Sequence, residues 1–243
     1  MSTASEAALR AARALVPAPL RARLRSLRER WALRRALRAC ARSLARGEGP
    51  GDALLEELLR AWGNPIWSAD VPYLRAIVEE GMSTRGPILE CGSGLTTLLL
   101  GLIARQRGLS LVALEHLPAW RDRVARELSA LGLPASAARV VQAELRSRGD
   151  HAWYDLELAT LPPRFRLVIC DGPPATTPGG RYGLLPALGS KLDAGAIILL
   201  HDADRAGEQE VMARWKGEAG VEEILSRRGA RFAVLAAPGP IAR

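Results

Sequence analysis

Cysteine, lysine and long apolar runs are scarce in this 243-residue chain, and each scarcity narrows the choice of function. Its three cysteines lie far apart and form no C-x-x-C pair, which argues against a disulfide framework and favours a reducing compartment, the cytoplasm. No apolar run approaches the roughly 18–20 residues of a membrane-spanning helix. Of the 34 basic residues only Lys191 and Lys216 are lysines, a bias that reflects genome composition as much as selection for binding.

The net charge of +8 arises from the N-terminal segment of the chain. Residues 1–46 hold twelve arginines against Glu6 and Glu29, so the rest of the chain is close to neutral. The basic segment lacks aromatic interleaving and resembles no nucleic-acid module, so nucleic acid is not expected as a partner. We therefore divide the chain at its Gly-Glu-Gly-Pro-Gly segment into an Arg-rich helical extension, residues 1–50, and a main domain, residues 51–243.

The extension is predicted to be an amphipathic helix that Pro17 and Pro19 interrupt. Its apolar residues recur at helical spacing and are expected to form one continued stripe, comprising Leu20, Leu24, Leu27, Trp31, Leu33, Leu37, Cys40 and Leu44. The favoured interpretation is that this stripe packs on the domain or on a second subunit. The alternative is a basic helix that lies on an anionic membrane, which would make the protein peripheral to that membrane.

From residue 87 onward, strand-like segments alternate with helical ones. The predicted strands and helices, in chain order, are 87–90, 95–107, 109–115, 118–131, 138–144, 165–171, 183–192, 194–202 and 205–216. The segment HAWYD is assigned to a loop, and two further strands around an Arg-Arg-Gly turn end the domain. This alternation predicts an α/β fold, Rossmann-like and doubly wound, with a mostly parallel sheet and an antiparallel C-terminal hairpin.

A glycine-rich turn follows the first predicted strand, in the segment LECGSGLTTLLL. Gly92 and Gly94 allow the backbone to bend sharply and to approach a ligand closely. A dinucleotide fingerprint would place Gly or Ala at Thr97, and the carboxylate of Glu90 would repel a pyrophosphate. That carboxylate suits a cationic ligand, and Glu115, at the end of the second strand, could accept hydrogen bonds from ribose hydroxyls. This pattern favours S-adenosylmethionine (SAM) over NAD(P).

The segments LECGSGLTTLLL, LVALEH, LVICDGPP and AIILLHDADR resemble, in that order, the motifs of class I SAM-dependent methyltransferases. The resemblance covers roughly residues 62–236 and is closest to the bacterial small-molecule group in which Asp-Gly-Pro-Pro follows the fourth strand. The cofactor-binding residues that it implies are Glu90, Cys91, Gly92, Ser93, Gly94, Glu115, His116 and Asp171. The side chain of Cys91, like that of Cys170, is nevertheless expected to be a small core residue.

The resemblance also implies what these residues would do. Glu90 would lie near the cofactor's amino group, and the following turn would line its methionine and ribose parts. Glu115 would bind the ribose hydroxyls, with His116 beside the adenine. Asp171 would lie near the sulfonium and the methyl acceptor.

The candidate catalytic residues are Asp171, His201 and Asp202, at the ends of the fourth and fifth predicted strands. In one mechanism, His201 or Asp171 is the general base for a hydroxyl or an amine. In the other, Asp171 and Asp202 bind Mg²⁺, which lowers the pKa of the acceptor. Ala203 stands where metal-dependent catechol enzymes would have an Asn ligand, so Asp204 or the substrate would have to complete the metal site.

A glycine-rich loop, residues 173–183, follows Asp171. Arg181 and Tyr182 could bind an acidic or glycosidic substrate, and Arg181 could equally hold the loop in place. Three aromatic residues earlier in the chain either cover the cofactor or pack in the core: Trp62, Trp67 and Tyr73.

Taken together, these patterns predict methyl transfer from SAM to a hydroxyl, or to an amine, of a small-molecule or sugar acceptor. A divalent-metal-dependent O-methyltransferase is one alternative. A SAM- or nucleoside-binding module without turnover is another. An NAD(P) oxidoreductase is disfavoured by Glu90 and Thr97.

Overall fold

The computed structural model describes residues 17–64, 69–225 and 231–238. Within these ranges, three helices precede the sheet: α1 (Ala18–Ala45), α2 (Asp52–Trp62) and α3 (Val71–Ser83). The carboxylate of Asp70 accepts a hydrogen bond from the backbone N–H of Tyr73 at 2.9 Å and so caps α3. Pro72 lies in the first turn of α3, where its missing N–H costs no intrahelical hydrogen bond. No helix in the described ranges is long and apolar enough to cross a membrane.

The remaining elements follow the predicted alternation closely. In chain order they are β1 (Ile88–Cys91), α4 (Leu95–Arg107), β2 (Leu111–Glu115), α5 (Pro118–Ala130), β3 (Ala138–Gln142), β4 (Leu145–Ser147), β5 (Ala152–Tyr154), β6 (Phe165–Cys170), α6 (Leu184–Leu188), β7 (Leu192–His201), α7 (Ala206–Ala219), β8 (Glu222–Leu225) and β9 (Phe232–Ala236). The expected helix at 183–192 is shorter, because a 3₁₀ turn at Gly189–Lys191 replaces its second half.

The main sheet has the strand order β3-β2-β1-β6-β7-β9-β8. Strands β3, β2, β1, β6 and β7 run parallel to one another, and β9 is antiparallel to both of its neighbours, β7 and β8. The Rossmann-like fold with a C-terminal hairpin is therefore confirmed. Because the order reverses between β1 and β6, the carboxyl ends of these two strands border the crevice where such folds bind ligands.

Successive side chains of the central strands alternate between two apolar cores. Ile88 packs in the core on the face covered by α1 to α5, and Leu89 packs in the core on the other face, beneath α6 and α7. Leu167 and Val168 divide in the same way. Both faces of the sheet are thus buried, which is why these strands read as continuous apolar runs.

The prediction of a loop for the HAWYD segment is wrong, because the segment contains a strand. Residues Ala152–Tyr154 form β5, which pairs with β4 in a small antiparallel hairpin. Trp153 and Tyr154 are fully buried. Three residues are too few to show the alternation that identifies a strand in a sequence, so the hairpin gave no clear signal.

Helix α1 also departs from the prediction of a single stripe. Its second half is buried on the domain through Leu33, Leu37, Cys40 and Leu44. In its first half, by contrast, Leu20, Leu24, Leu27 and Trp31 are 42–66% exposed. The two sets do not share a face, because the step of two residues from Trp31 to Leu33 rotates the helix surface by about 200°. Residues 1–16 of the extension lie outside the described residues.

Candidate active site

One cavity of about 440 Å³ opens at the carboxyl ends of β1, β2, β6 and β7. Its lining includes every predicted site residue except Cys91 and Tyr182. The β1 and β2 ends form one side, which we call the cofactor half. The β6 and β7 ends form the other side, which we call the reaction half.

Glu90 is a fully buried carboxylic acid in the cofactor half. The hydroxyl of Thr96 donates a hydrogen bond to Oε1, and Oε2 has no hydrogen-bond partner among the described residues. Burial raises the pKa of Glu90 to about 8, although the nearby hydroxyls of Thr96 and Thr97 lower it in part. An acceptor atom that is buried and unpaired in a cavity wall suits a cationic ligand group, as expected for the SAM ammonium.

The two glycines of the turn serve different needs. Gly92 has φ of +89°, and a Cβ there would come within 3.2 Å of the backbone nitrogen of Gly172. The turns after β1 and β6 therefore approach too closely for a side chain. A Cβ at Gly94 would meet no atom within 4 Å, so this glycine leaves the cavity floor open. Thr97 secures the turn, since its Oγ1 accepts a hydrogen bond from the Gly94 N–H at 2.8 Å.

Glu115 is held by groups on both of its oxygens. Oε1 accepts a hydrogen bond from the Leu117 N–H at 2.9 Å, and Oε2 accepts one from the Ser93 hydroxyl at 2.8 Å. The His116 Nδ1 lies 3.1 Å from Oε1. A carboxylate can accept about four hydrogen bonds, so Glu115 keeps capacity for ribose hydroxyls in a fixed orientation.

Trp120 links the two turns of the cofactor half. Its indole N–H donates to the backbone oxygen of Ser93 at 2.6 Å, and its ring meets Trp62 edge to face at 5.8 Å. Arg123 lies over both rings. Trp62 is buried, so the packing interpretation fits it better than a lid. Trp67 lies outside the described residues.

Cys91 does not reach the cavity. It is fully buried and stands in register with Cys170 on the neighbouring strand. Burial raises the pKa of the Cys91 thiol well above its ordinary value. Its surroundings match the expected small core residue rather than a cofactor contact.

Asp171 and His201 form a hydrogen-bonded pair in the reaction half. The His201 Nδ1 lies 2.8 Å from Asp171 Oδ1, and the imidazole stacks on Tyr73 at 4.3 Å. The Asp171 side chain is 28% exposed, whereas that of His201 is 5% exposed. Burial raises the pKa of Asp171, but the hydrogen bond and charge of His201, with the charge of Arg181, outweigh this effect and hold the pKa below its ordinary value. Asp171 is therefore an ionised carboxylate and the more accessible side chain of the pair.

Arg181 is buried behind this pair, with 3% of its side chain exposed. It donates hydrogen bonds to the backbone oxygens of Asp171 and His201. Asp171 directly follows β6, and His201 is the last residue of β7. Its guanidinium also lies 3.3 Å from Asp202 Oδ2 and 3.5 Å from Glu208 Oε1. The geometry thus favours the second of the two interpretations, in which Arg181 holds the loop in place.

Asp202 is the only non-glycine residue with a positive φ, +53°, in the described ranges. Such a backbone costs on the order of 1–3 kcal/mol and persists where its surroundings impose it. The Asp202 carboxylate is held in this position by three guanidinium groups: Arg181, Arg231 at 2.5 Å from Oδ1, and Arg205 at 2.8 Å from Oδ2. Arg205 and Arg231 are half exposed at the cavity mouth.

The candidate metal ligands fit a divalent cation poorly. Donor atoms of Asp171, His201 and Asp202 do lie within 4.8 Å of one another. Both oxygens of Asp202 already contact guanidinium groups, however, and Arg181 stands against both carboxylates. A divalent cation would have to approach these positive charges at close range or displace them. Asp204 is exposed and outside the cluster.

Tyr182 faces away from the cavity. Its hydroxyl donates to Glu218 at 2.5 Å, and Arg214 lies over its ring at 3.4 Å. These contacts attach the loop to α7, and they leave the expected role of Tyr182 in substrate binding without structural support.

Sequence reasoning missed several cavity residues: Leu117, Trp120, Tyr154, Arg205 and Arg231. Tyr154 comes from the unrecognised hairpin, and Arg231 from the start of the terminal strand. Both are far from the glycine turn in sequence. Trp120 and Leu117 could have been suspected, because they begin the helix that follows the β2 end.

A family model described as a methyltransferase domain matches residues 89–203. Comparison with curated proteins gave no match. Among solved structures, a methyltransferase from Podospora anserina bound to S-adenosylhomocysteine is 17% identical, with a TM-score of 0.56 over 78% of this chain and 89% of that one. An O-methyltransferase from Bacillus cereus in complex with the same product is 15% identical, with a TM-score of 0.51 over 78% of this chain and 92% of that one. The family model marks residues 89–203 as a methyltransferase domain, in agreement with the expected enzyme class, a SAM-dependent methyltransferase. The two solved structures bear on the fold alone.

The buried acid of the cofactor half predicts a pH-dependent stability. Because Glu90 titrates near pH 8 when folded and near 4.3 when unfolded, the folded state holds the extra proton between these values. The contribution of Glu90 to stability is therefore full below about pH 4 and is lost as the pH rises to 8. Glu90→Gln keeps the neutral form, so its melting temperature without cofactor should exceed that of the wild type by an amount that grows from pH 5 to 8. A difference of about 2–4 °C corresponds to ~1 kcal/mol in a domain of this size.

Scanning calorimetry across that pH range measures the difference. Glu56→Gln, on the exposed side of α2, is the control and should follow the wild type at every pH. A Glu90→Gln difference that stays constant with pH would contradict the assignment of the buried proton to Glu90.

Proposed function

We propose that this chain, whose residues 89–203 match a methyltransferase domain, methylates a hydroxyl group of a small-molecule or sugar acceptor and needs no metal ion. The observation that carries the proposal is the accessible, ionised carboxylate of Asp171, which lines the cavity and is oriented by His201. A site that only bound a nucleoside would not need a carboxylate held in this way.

The cofactor half has the groups that SAM requires. Glu90 offers a buried, unpaired oxygen for the ammonium group, and Gly94 leaves room beside it. Glu115 offers a fixed acceptor for the ribose hydroxyls, and His116 lines the same end of the cavity, where the adenine is expected. SAM supplies a methyl group on a positively charged sulfur, so the acceptor needs only alignment and the loss of a proton.

Asp171 is assigned both tasks. Its carboxylate accepts the hydrogen bond of the acceptor hydroxyl, which orients the oxygen lone pair towards the methyl group. The oxygen becomes strongly acidic as its bond to the methyl carbon forms, so even a carboxylate of low pKa can take the proton. His201 is a positioning residue here, because its buried ring holds Asp171 Oδ1 and stacks on Tyr73.

The metal-dependent alternative is disfavoured by charge. The carboxylates of Asp171, Asp202 and Glu208 are matched by the guanidinium groups of Arg181, Arg205 and Arg231. A site that is already neutral gives a divalent cation little electrostatic advantage over bulk water.

Loss of the carboxylate should separate catalysis from cofactor binding. Asp171→Asn is expected to lower the rate of methyl transfer at least about 100-fold, the usual contribution of a general base. His201→Gln should lower kcat less, by roughly tenfold, with little change in the acceptor KM, because it acts through Asp171. The measurement is transfer of labelled methyl groups from SAM to a panel of phenols, sugars and amines, with calorimetric SAM affinity as the control. Turnover on amines alone, or an active Asp171→Asn enzyme, would contradict the proposal.

Removal of metal ions should leave the activity intact. We expect the rate after treatment with EDTA to stay within about twofold of the untreated rate, since no step uses a Lewis acid. Added Mg²⁺ or Mn²⁺ should not raise it. If added Mg²⁺ or Mn²⁺ raised the rate tenfold or more, and Asp202→Asn abolished that increase, the acidic cluster would instead be a metal-binding site.

A further inference from the structure

Helix α1 carries two apolar stripes, and only one of them is covered by the domain. Leu33, Leu37, Cys40 and Leu44 are buried in the core. The other set, Leu20, Leu24, Leu27 and Trp31, points away from the domain and includes the most exposed large apolar side chain of the described residues, Trp31 at 66%. We call this set the outer stripe.

The outer stripe is narrow and regular. Its residues are spaced by four, three and four positions, so they fall within a sector of about 60° on a helix with 3.6 residues per turn. About 200° separates Trp31 from Leu33 around the helix, so the same domain cannot cover both stripes. A second surface must meet the outer stripe if these side chains are to leave water.

Positive charge borders the outer stripe on both sides. Helix α1 contains nine arginines and a single acid, Glu29. Arg23 and Arg30 lie along one edge and Arg28 along the other, and all three are exposed. Two arginines nearer the domain, Arg34 and Arg35, pair instead with Glu127 and Glu57.

We propose that the outer stripe binds the surface of an anionic lipid bilayer, with α1 lying in the plane of the interface. The leucines and Trp31 would enter the boundary between head groups and acyl chains, and the flanking arginines would reach the anionic head groups. This surface is independent of the methyl-transfer site.

The arginines beside the outer stripe favour binding to a bilayer over binding to a second copy of the chain. Two outer stripes packed together would bring arginine-rich edges from both copies into contact, with Glu29 as the sole acid of each helix. Like charges at such an interface oppose association. Anionic lipids neutralise the same arginines, so only the bilayer satisfies the apolar and the charged parts of the surface together.

Vesicle flotation with the full-length protein tests the proposal. The wild type should float with vesicles of equimolar phosphatidylcholine and phosphatidylglycerol, and should stay unbound with pure phosphatidylcholine. Leu24→Glu combined with Leu27→Glu should weaken the partition coefficient at least about tenfold, because two apolar anchors are replaced by negative charges. Arg23→Gln and Arg28→Gln should each weaken it roughly fivefold and reduce its salt dependence.

Ile224→Glu is the matched control, since Ile224 is 56% exposed on β8 and lies outside the outer stripe. It should bind vesicles like the wild type. The emission of Trp31 should shift to shorter wavelength on binding, and Trp31→Phe should abolish that shift. Circular dichroism should show both glutamate variants folded, because neither changes a core residue.

Three results would overturn the proposal. The first is equal flotation with neutral and anionic vesicles, or none with either. The second is undiminished binding of the Leu24→Glu, Leu27→Glu variant. The third is a dimer, seen by sedimentation without lipid, that the same variant dissociates, because the outer stripe would then be an interface between copies of the chain.

Discussion

The buried guanidinium of Arg181 is the interaction on which the reaction half depends. A charged group that is almost fully removed from water is stable only when its partners are complete, and loss of one partner typically costs about 3–5 kcal/mol. Arg181 obtains its partners from three parts of the chain: the end of β6, the end of β7 and Glu208 on α7. Strand ends that would otherwise be joined only by backbone hydrogen bonds are therefore held in one arrangement.

This arrangement has chemical consequences. Because Arg181 contacts both Asp171 and Asp202, its positive charge offsets the repulsion between the two neighbouring acids. Asp202 takes an unfavourable backbone conformation in the same network, so part of the folding free energy maintains the site. Asp171 then presents a carboxylate whose position is set by His201 and whose charge is set by its neighbours. The cofactor half needs no comparable network, since the β1 turn and Glu115 are held by short-range hydrogen bonds.

Local patterns explain what could be predicted from the sequence. The end of β1 was recognised because an acid followed by Gly-x-Gly has few structural interpretations, and the strand alternation placed Glu115 and Asp171 at the same edge. The sequence alone does not decide between the two roles of Arg181, because its partners come from distant strands that no local pattern connects to it. The hairpin that carries Tyr154 was too short to recognise. The prediction of a single stripe on α1 is wrong for a reason that the spacing itself contains, because the step of two residues from Trp31 to Leu33 turns the helix surface by about 200°.

Calorimetric titration of SAM and S-adenosylhomocysteine into the wild type and Glu115→Gln tests the central claim most directly, since every assigned role presupposes the cofactor. The account predicts micromolar binding of both ligands to the wild type. In Glu115→Gln the affinity should fall at least about tenfold, because an uncharged amide replaces the carboxylate that accepts hydrogen bonds from the ribose. Absence of binding to the folded wild type, or equal binding by the variant, would contradict the assignment of the cavity to SAM.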